Sequence, residues 1–186
     1  PLLSARRPGR TLPTGPDPVL SSASGLLEYR IITGDRFRFA PGGTPRIIKF
    51  PGIAEVDYPT SRSALLLKKF PESLIIIGGG VIALELGQMF LRLGTRVTVL
   101  EHGERILPAF AAEPAMALQQ ALLVEGMEIM LGVKICSMRK ESGRTLVSAE
   151  YDGELRELAA ERIPPAVGTT PATAGIGPAK AGVGRA

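Results

Sequence analysis

The sequence is poorest in the residues that build metal and disulfide chemistry. Its 186 residues hold one cysteine and one histidine. That excludes an intrachain disulfide and a multi-cysteine zinc site, and leaves a histidine-rich metal site without ligands. No residue is singled out as a metal ligand. Tryptophan is absent, and six Phe and three Tyr make up the aromatics, too few for the stacking platforms that hold single-stranded nucleic acid. The most apolar stretch, 74–84, has 11 residues, whereas a membrane-crossing helix needs about 20. No apolar run follows Arg6, Arg7 and Arg10, so no secretory signal and no membrane partner are expected. A reduced, cytoplasmic setting fits this composition.

What the sequence does contain is ordinary globular material: 45% hydrophobic and 22% charged residues, with enough length for a buried core. One domain with an appendage, or two small domains, is the expectation. The net charge is +4. Arg6, Arg7 and Arg10 precede the first acid, Asp17, but the remaining basic residues are scattered among acids. This describes a solvated surface, and no nucleic-acid partner is expected.

Residues 1–30 carry Pro1, Pro8, Pro13, Pro16, Pro18 and a Ser21-Ser22-Ala23-Ser24-Gly25 run, the composition of an irregular segment. The chain opens on proline rather than methionine, which suggests a fragment. Residues 29–32 resemble a short strand. Residues 40–60 are punctuated by Pro41-Gly42-Gly43, Pro45, Pro51-Gly52 and Pro59 and are expected to hold little regular structure. A short helix is expected over 61–69.

From residue 71 the pattern sharpens into an expected α/β domain, 71–169, followed by an irregular tail, 170–186. Leu74-Ile75-Ile76-Ile77 is a continuous apolar run, as in a parallel strand buried on both faces. Ile82, Ala83, Leu86, Phe90 and Leu93 keep helical period after it, and Gly94 stands where a helix would end. A second strand is expected over 96–100. A second helix is expected over 114–125, with Ala117, Leu118, Ala121 and Leu122 as its apolar face. A third strand follows over 128–131. Residues 133–138, 145–151 and 155–163 alternate as three strands of a meander, with turns at Glu141-Ser142-Gly143 and Asp152-Gly153. The order implies an α/β fold, a Rossmann-like doubly wound parallel sheet with an antiparallel β-meander.

The chemistry rests on Gly78-Gly79-Gly80-Val81-Ile82-Ala83, a G-x-G-x-x-A motif between strand and helix. Gly78 allows a tight turn, Gly80 lets the backbone approach a pyrophosphate, and Ala83 lets the helix lie close to the strand. The helix start offers unpaired N–H groups to phosphate. Glu101 lies 23 residues beyond Gly78 at the end of the second strand. A carboxylate there accepts from ribose hydroxyls and repels a 2′-phosphate, which favours NAD(H) over NADP(H). His102 and Arg105 leave a 2′-phosphate open. Glu85 faces either solvent or the cofactor. Cys136 is expected to be a buried, inert thiol in a strand. No side chain is singled out as catalytic.

Beyond these motifs, Thr60-Ser61-Arg62-Ser63-Ala64-Leu65, Pro71-Glu72-Ser73-Leu74, Leu84-Glu85-Leu86-Gly87, Leu93-Gly94, Val97-Thr98-Val99-Leu100-Glu101 and Arg105-Ile106-Leu107-Pro108 resemble the pyridine nucleotide–disulfide oxidoreductases. The flavin enzymes with a redox disulfide fit better than the ferredoxin reductase branch. Val81 and Ala83 resemble mercuric reductases, because dihydrolipoamide dehydrogenases usually carry tyrosine and glycine at those positions. The resemblance implies that Gly78, Gly80 and Glu101 bind the dinucleotide and that Glu85 lies near the nicotinamide. It makes 31–70 a remnant of a flavin domain and its crossover. Ile32-Thr33-Gly34 resembles one crossing, and Ala166-Val167-Gly168-Thr169-Thr170-Pro171 resembles the second. The candidate cofactor-binding residues are therefore Gly78, Gly79, Gly80, Val81, Ile82, Glu85, Glu101, His102 and Gly168. Two features depart at the second crossing: Thr169 replaces the usual arginine, and Pro164-Pro165 interrupts the strand before it. The family's flavin-binding G-x-G-x-x-G and Cys-x₄-Cys pair are not among these residues. The complete family enzyme is expected to carry FAD, to form a homodimer, and to pass hydride from the nicotinamide to the flavin and then to a cysteine pair. The alternative is a non-catalytic nucleotide-binding fragment of a dihydrolipoamide dehydrogenase-like protein.

Overall fold

Every residue of the strand Ser73–Ile77 is buried, and the rest of the fold is arranged around that strand. The computed structural model describes residues 3–4, 38–46, 50–56 and 59–173. Its contacts divide the chain into two units, Pro1–Thr44 with Thr170–Ala186, and Pro45–Thr169.

In the first unit β1 (Leu3–Ser4) pairs antiparallel with β2 (Arg38–Phe39). All but the terminal residues Pro45 and Thr169 of β3 (Gly43–Pro45) and β10 (Thr169–Pro171), which form a two-stranded sheet, also belong to it. Ala172 N–H donates to Gly42 O at 2.9 Å and Thr44 Oγ1 to Thr170 O at 3.4 Å. The strand expected over 29–32 and the crossing at Ile32-Thr33-Gly34 lie outside the described residues.

The second unit begins with a 3₁₀ turn, Ile53–Glu55, and a four-residue helix, α1 (Ser61–Ala64), which Thr60 caps by accepting from Ser63 N–H. The helix expected over 61–69 stops early: Leu65 and Leu66 are exposed and offer it no buried face to continue on. Then β4 (Ser73–Ile77), α2 (Val81–Arg92), β5 (Arg96–Leu100), α3 (Ala112–Val124) and β6 (Glu128–Met130) follow in alternation. The three strands pair in parallel in the order β4-β5-β6. The meander is β7 (Lys134–Glu141), β8 (Arg144–Tyr151) and β9 (Glu154–Ala160), all antiparallel.

Alternation along β4 divides the core. Leu74 and Ile76 point into one cluster with Ala83, Leu86 and Phe90 of α2 and Leu122 of α3. Ile75 and Ile77 point into another with Met138, Val147 and Ala160 of the meander. A strand covered on both sides has no polar face, which is why its sequence is an unbroken apolar run. Gly87 lets α2 come close: a Cβ there would stand 3.1 Å from Met127 Cε and 3.3 Å from Ile76 Cδ1.

Both long helices end alike. Gly94 N–H donates to Leu91 O and Thr95 N–H to Phe90 O, while Gly126 N–H donates to Leu123 O and Met127 N–H to Leu122 O. Each glycine has positive φ, +89° and +97°, the left-handed terminator that returns the chain to the sheet. On α3 the buried residues are Ala115 and Leu122. Ala117, Leu118 and Ala121 are exposed, so the expected apolar face is corrected to a narrower stripe one position round the helix.

Ile163 also changes place. The third meander strand ends at Ala160, and residues 162–165 form parallel bridges to β4 instead. Arg162 N–H donates to Ser73 O, Ile75 N–H to Arg162 O, Ile77 N–H to Pro164 O and Ala166 N–H to Ile77 O. Pro164 lacks the N–H that would complete this ladder, so the proline pair costs one bond at an edge and leaves the rest of the ladder in place. Cys136 is half-buried rather than buried. It occupies the bulge between Ile135 and Ser137 on β7, where a residue has no cross-strand partner to cover it.

Candidate functional site

The carboxyl ends of β4 and β5 and the start of α2 meet at one cleft of about 910 Å³. Open α/β sheets bind ligands at this end of their strands. The turn after β4 is built from glycines for distinct reasons. Gly78 has φ +102°, and a Cβ on it would stand 3.0 Å from Ala166 O. Its N–H donates to Leu100 O at 2.8 Å, so the turn begins locked to β5. A Cβ on Gly79 would stand 3.0 Å from Glu101 Oε2. Gly80 meets nothing within 4 Å; its missing side chain leaves open space on the cleft.

Gly80 also caps α2, in extended conformation and without a side-chain hydrogen bond. The first helical bond is Leu84 N–H to Gly80 O at 3.1 Å. The N–H groups of Val81, Ile82 and Ala83 therefore have no partner among the described residues, as at any uncapped helix start. Val81 and Ile82 are exposed and line the cleft. An anion seated there meets unpaired donors and the positive end of the helix dipole.

Glu101 follows β5. Its Oε2 accepts from Gly79 N–H and its Oε1 from Gly103 N–H at 2.7 Å. A carboxylate has about four acceptor positions, so each oxygen keeps a lone pair for a ligand hydroxyl. His102 Nδ1 lies 3.3 Å from Val133 O, and the side chain is exposed on the cleft. Arg105 does not line it: its guanidinium donates to Leu107 O at 3.1 Å and Pro108 O at 2.8 Å. That arginine folds the 101–108 loop back, Ile106 is fully buried beneath it, and Leu107 N–H donates to Gly79 O at 2.9 Å. The loop thus steadies the glycine turn.

The structure brings Gly78, Gly79, Gly80, Val81, Ile82, Glu101, His102 and Gly168 to this one cleft. Gly168, with φ +101°, accepts from Arg46 N–H at 2.9 Å. Glu85 is exposed on α2 and is not among the lining residues. Sequence reasoning missed Arg46, Phe50, Lys134 and Ile135, which also line it. Lys134 and Ile135 were within reach of the rule that strand ends form the site, since they follow β6. Arg46 and Phe50 come from the proline-rich segment before the domain and carry no such signal.

The profile of the pyridine nucleotide–disulphide oxidoreductases matches residues 21–185. The chain belongs to this family. A mercuric reductase of Staphylococcus aureus is 37% identical over 142 residues, 76% of this chain and 26% of its own. A dihydrolipoyl dehydrogenase of Thermus scotoductus is 36% identical over 139 residues, 74% and 30% of the two chains. The solved HOCl-induced flavoprotein disulfide reductase RclA of Escherichia coli superposes with a TM-score of 0.68 at 27% identity, covering 81% of this chain and 36% of that one. This oxidoreductase-family chain therefore spans about a quarter to a third of the length of the relatives it matches. Within it the fit to a dinucleotide is a matter of space and donors: Gly80 provides the opening, the uncapped α2 start provides the N–H groups, and Glu101 provides the acceptors. The described residues contain no group of three or more His, Cys, Asp or Glu able to hold a metal and no helix long and apolar enough to cross a membrane.

Proposed function

We propose that residues 71–169 are the NAD(H)-binding domain of a mercuric-reductase-like flavin disulfide oxidoreductase. The observation that carries this reading is the uncapped start of α2 behind Gly80, opening on the same cleft as Glu101. The N–H groups of Val81, Ile82 and Ala83 hold the pyrophosphate, and Glu101 accepts from the ribose hydroxyls. When bound, the nicotinamide supplies a transferable hydride. This domain's contribution is placement. Gly79 and Gly103 N–H keep the Glu101 carboxylate oriented before the ligand arrives, so its ordering costs little on binding. A 2′-phosphate would approach that carboxylate charge to charge, which sets the preference for NADH. The mercuric-reductase assignment is supported by Val81 and Ala83 and by the relatives just described.

The test is a titration of the purified chain with NADH and NADPH. NADH should bind at least about tenfold more tightly, a difference of about 1.4 kcal/mol, and Glu101→Gln should narrow the gap. Equal affinities would overturn the role of Glu101, and binding of neither would overturn the site.

A further inference from the structure

Two further charged side chains, Lys134 and Glu150, stand opposite each other on β7 and β8 beside the cleft. Lys134 lines it and is tied to the Glu101 loop through its neighbours. Val133 N–H donates to Glu101 O, and Gly132 N–H to Gly103 O, both at 2.9 Å. Lys134 is thus one residue from a backbone bonded to the residue that selects at the ribose. Directly opposite Lys134 in the β7–β8 register is Glu150, whose Oε2 lies 3.3 Å from Lys134 Nζ. Both side chains are more than half exposed, so the pair is worth little to folding. Its consequence lies in where it leaves the ammonium.

We propose that Glu150 is a specificity-positioning residue: by pairing with Lys134 it withholds a cation from the 2′-position and so reinforces the preference for the unphosphorylated dinucleotide. This rests on the reading that the ribose sits at Glu101. The titratable or charged side chains lining the cleft are Arg46, Glu101, His102 and Lys134, and of these Lys134 has the carboxylate partner Glu150. Glu101 is bound through both oxygens to Gly79 and Gly103, so it cannot turn aside to meet Lys134 without giving up those bonds. Lysine, a flexible point charge on a four-carbon stem, needs only the loss of Glu150 to turn toward a phosphate. Selection at the ribose is therefore shared between a carboxylate that repels and a second carboxylate that occupies the lysine lining the cleft.

The experiment compares NADH, NADPH, 5′-AMP and 2′,5′-ADP binding to the parent chain, Glu150→Gln, Glu150→Gln with Lys134→Met, and Glu141→Gln. The last removes the same charge from the far end of β7, about 23 Å away along the strand. Glu150→Gln should tighten NADPH and 2′,5′-ADP about two- to fivefold, the scale of an exposed charge pair, with NADH and 5′-AMP within twofold of the parent. Lys134→Met should erase that gain, and Glu141→Gln should leave the NADPH-to-NADH ratio where it was. An unchanged ratio in Glu150→Gln, or an equal shift in Glu141→Gln, overturns the role of Glu150 while leaving NADH binding intact. A parent chain that binds none of the four ligands overturns the dinucleotide site as well.

Discussion

Three adjacent glycines do different jobs, and substitutions should separate them. At Gly80 the extended backbone suits any residue, and an added Cβ meets nothing in the protein. Gly80→Val should therefore keep the fold, losing no more than about 1 kcal/mol at the cap, yet abolish NADH binding, because the branched side chain fills the pyrophosphate's space. Urea unfolding and an NADH titration on the same sample decide it; a variant that binds like the parent would move the cofactor elsewhere. Gly78→Ala should do the opposite. Its left-handed φ and the 3.0 Å approach to Ala166 O put strain and a clash on the new methyl. A loss of about 1–3 kcal/mol of stability is expected, seen as a lower urea midpoint. Gly78 and Gly80 were legible as motif letters, but the contact between Gly79, at the motif's variable position, and the Glu101 carboxylate was not. Sequence spacing places Glu101 at a strand end and says nothing about which backbone N–H groups it has already engaged.

Among the elements, β4, α2 and β5 were readable because each obeys one strong rule: a run covered on both faces, a helical period closed by Gly94, and a β-branched alternation. The α3 helix was harder. Met116, Leu118, Leu123 and Val124 are all exposed, so apolar residues lie all round it and periodicity does not pick the buried stripe. Leu122→Ala should cost about 2–4 kcal/mol, whereas Leu118→Ala should stay within about 0.5 kcal/mol; equal losses in urea unfolding would contradict the observed face. The end of α3 is also tied to α2 by charge. Glu125 accepts from Arg92 Nε and Nη2 at 2.9 and 2.8 Å and from Gln88 Nε2 at 2.9 Å. The hydrogen bond from Arg92 holds the Glu125 carboxyl below its ordinary range. A carboxyl whose folded-state pKa is lowered stabilises the fold above its unfolded pKa, about 4.3, and loses that contribution as pH falls through the folded value. Glu125→Gln should therefore melt below the parent at pH 7, with the difference shrinking as the buffer is taken below about pH 4. A gap that stays constant with pH would show that this pair is not what titrates.

At the scale of the molecule the sheet of the second unit has helices on one face and the meander on the other. Its cleft lies at the carboxyl ends of the strands, and the single thiol is not itself among the lining residues, although its neighbours Lys134 and Ile135 are. The layer order was legible from alternation of element types; the return of 162–165 to the β4 edge was not, because two prolines mark a break in sequence while only one ladder bond is lost in space. This division between a placing domain and a reacting apparatus leads to the last expectation. Hydride leaving a nicotinamide toward a disulfide needs a flavin between them in this family, and the 186 residues hold one G-x-G-x-x-A turn, the one proposed to hold NAD(H). It also needs two thiols whose Cα atoms come within about 7 Å, and Cys136 is the sole cysteine. Cys136 sits on a bulge, its Sγ 3.6 Å from Lys134 O, and an exchange between two chains would have to reach it there. The purified 186-residue chain should bind NADH, show no flavin absorbance, and oxidise no NADH with mercuric ion, lipoamide or glutathione disulfide. Cys136→Ser should bind NADH as the parent does. Copurifying FAD with NADH turnover of about 1 per second or faster would show that this chain carries more than the placement of one dinucleotide.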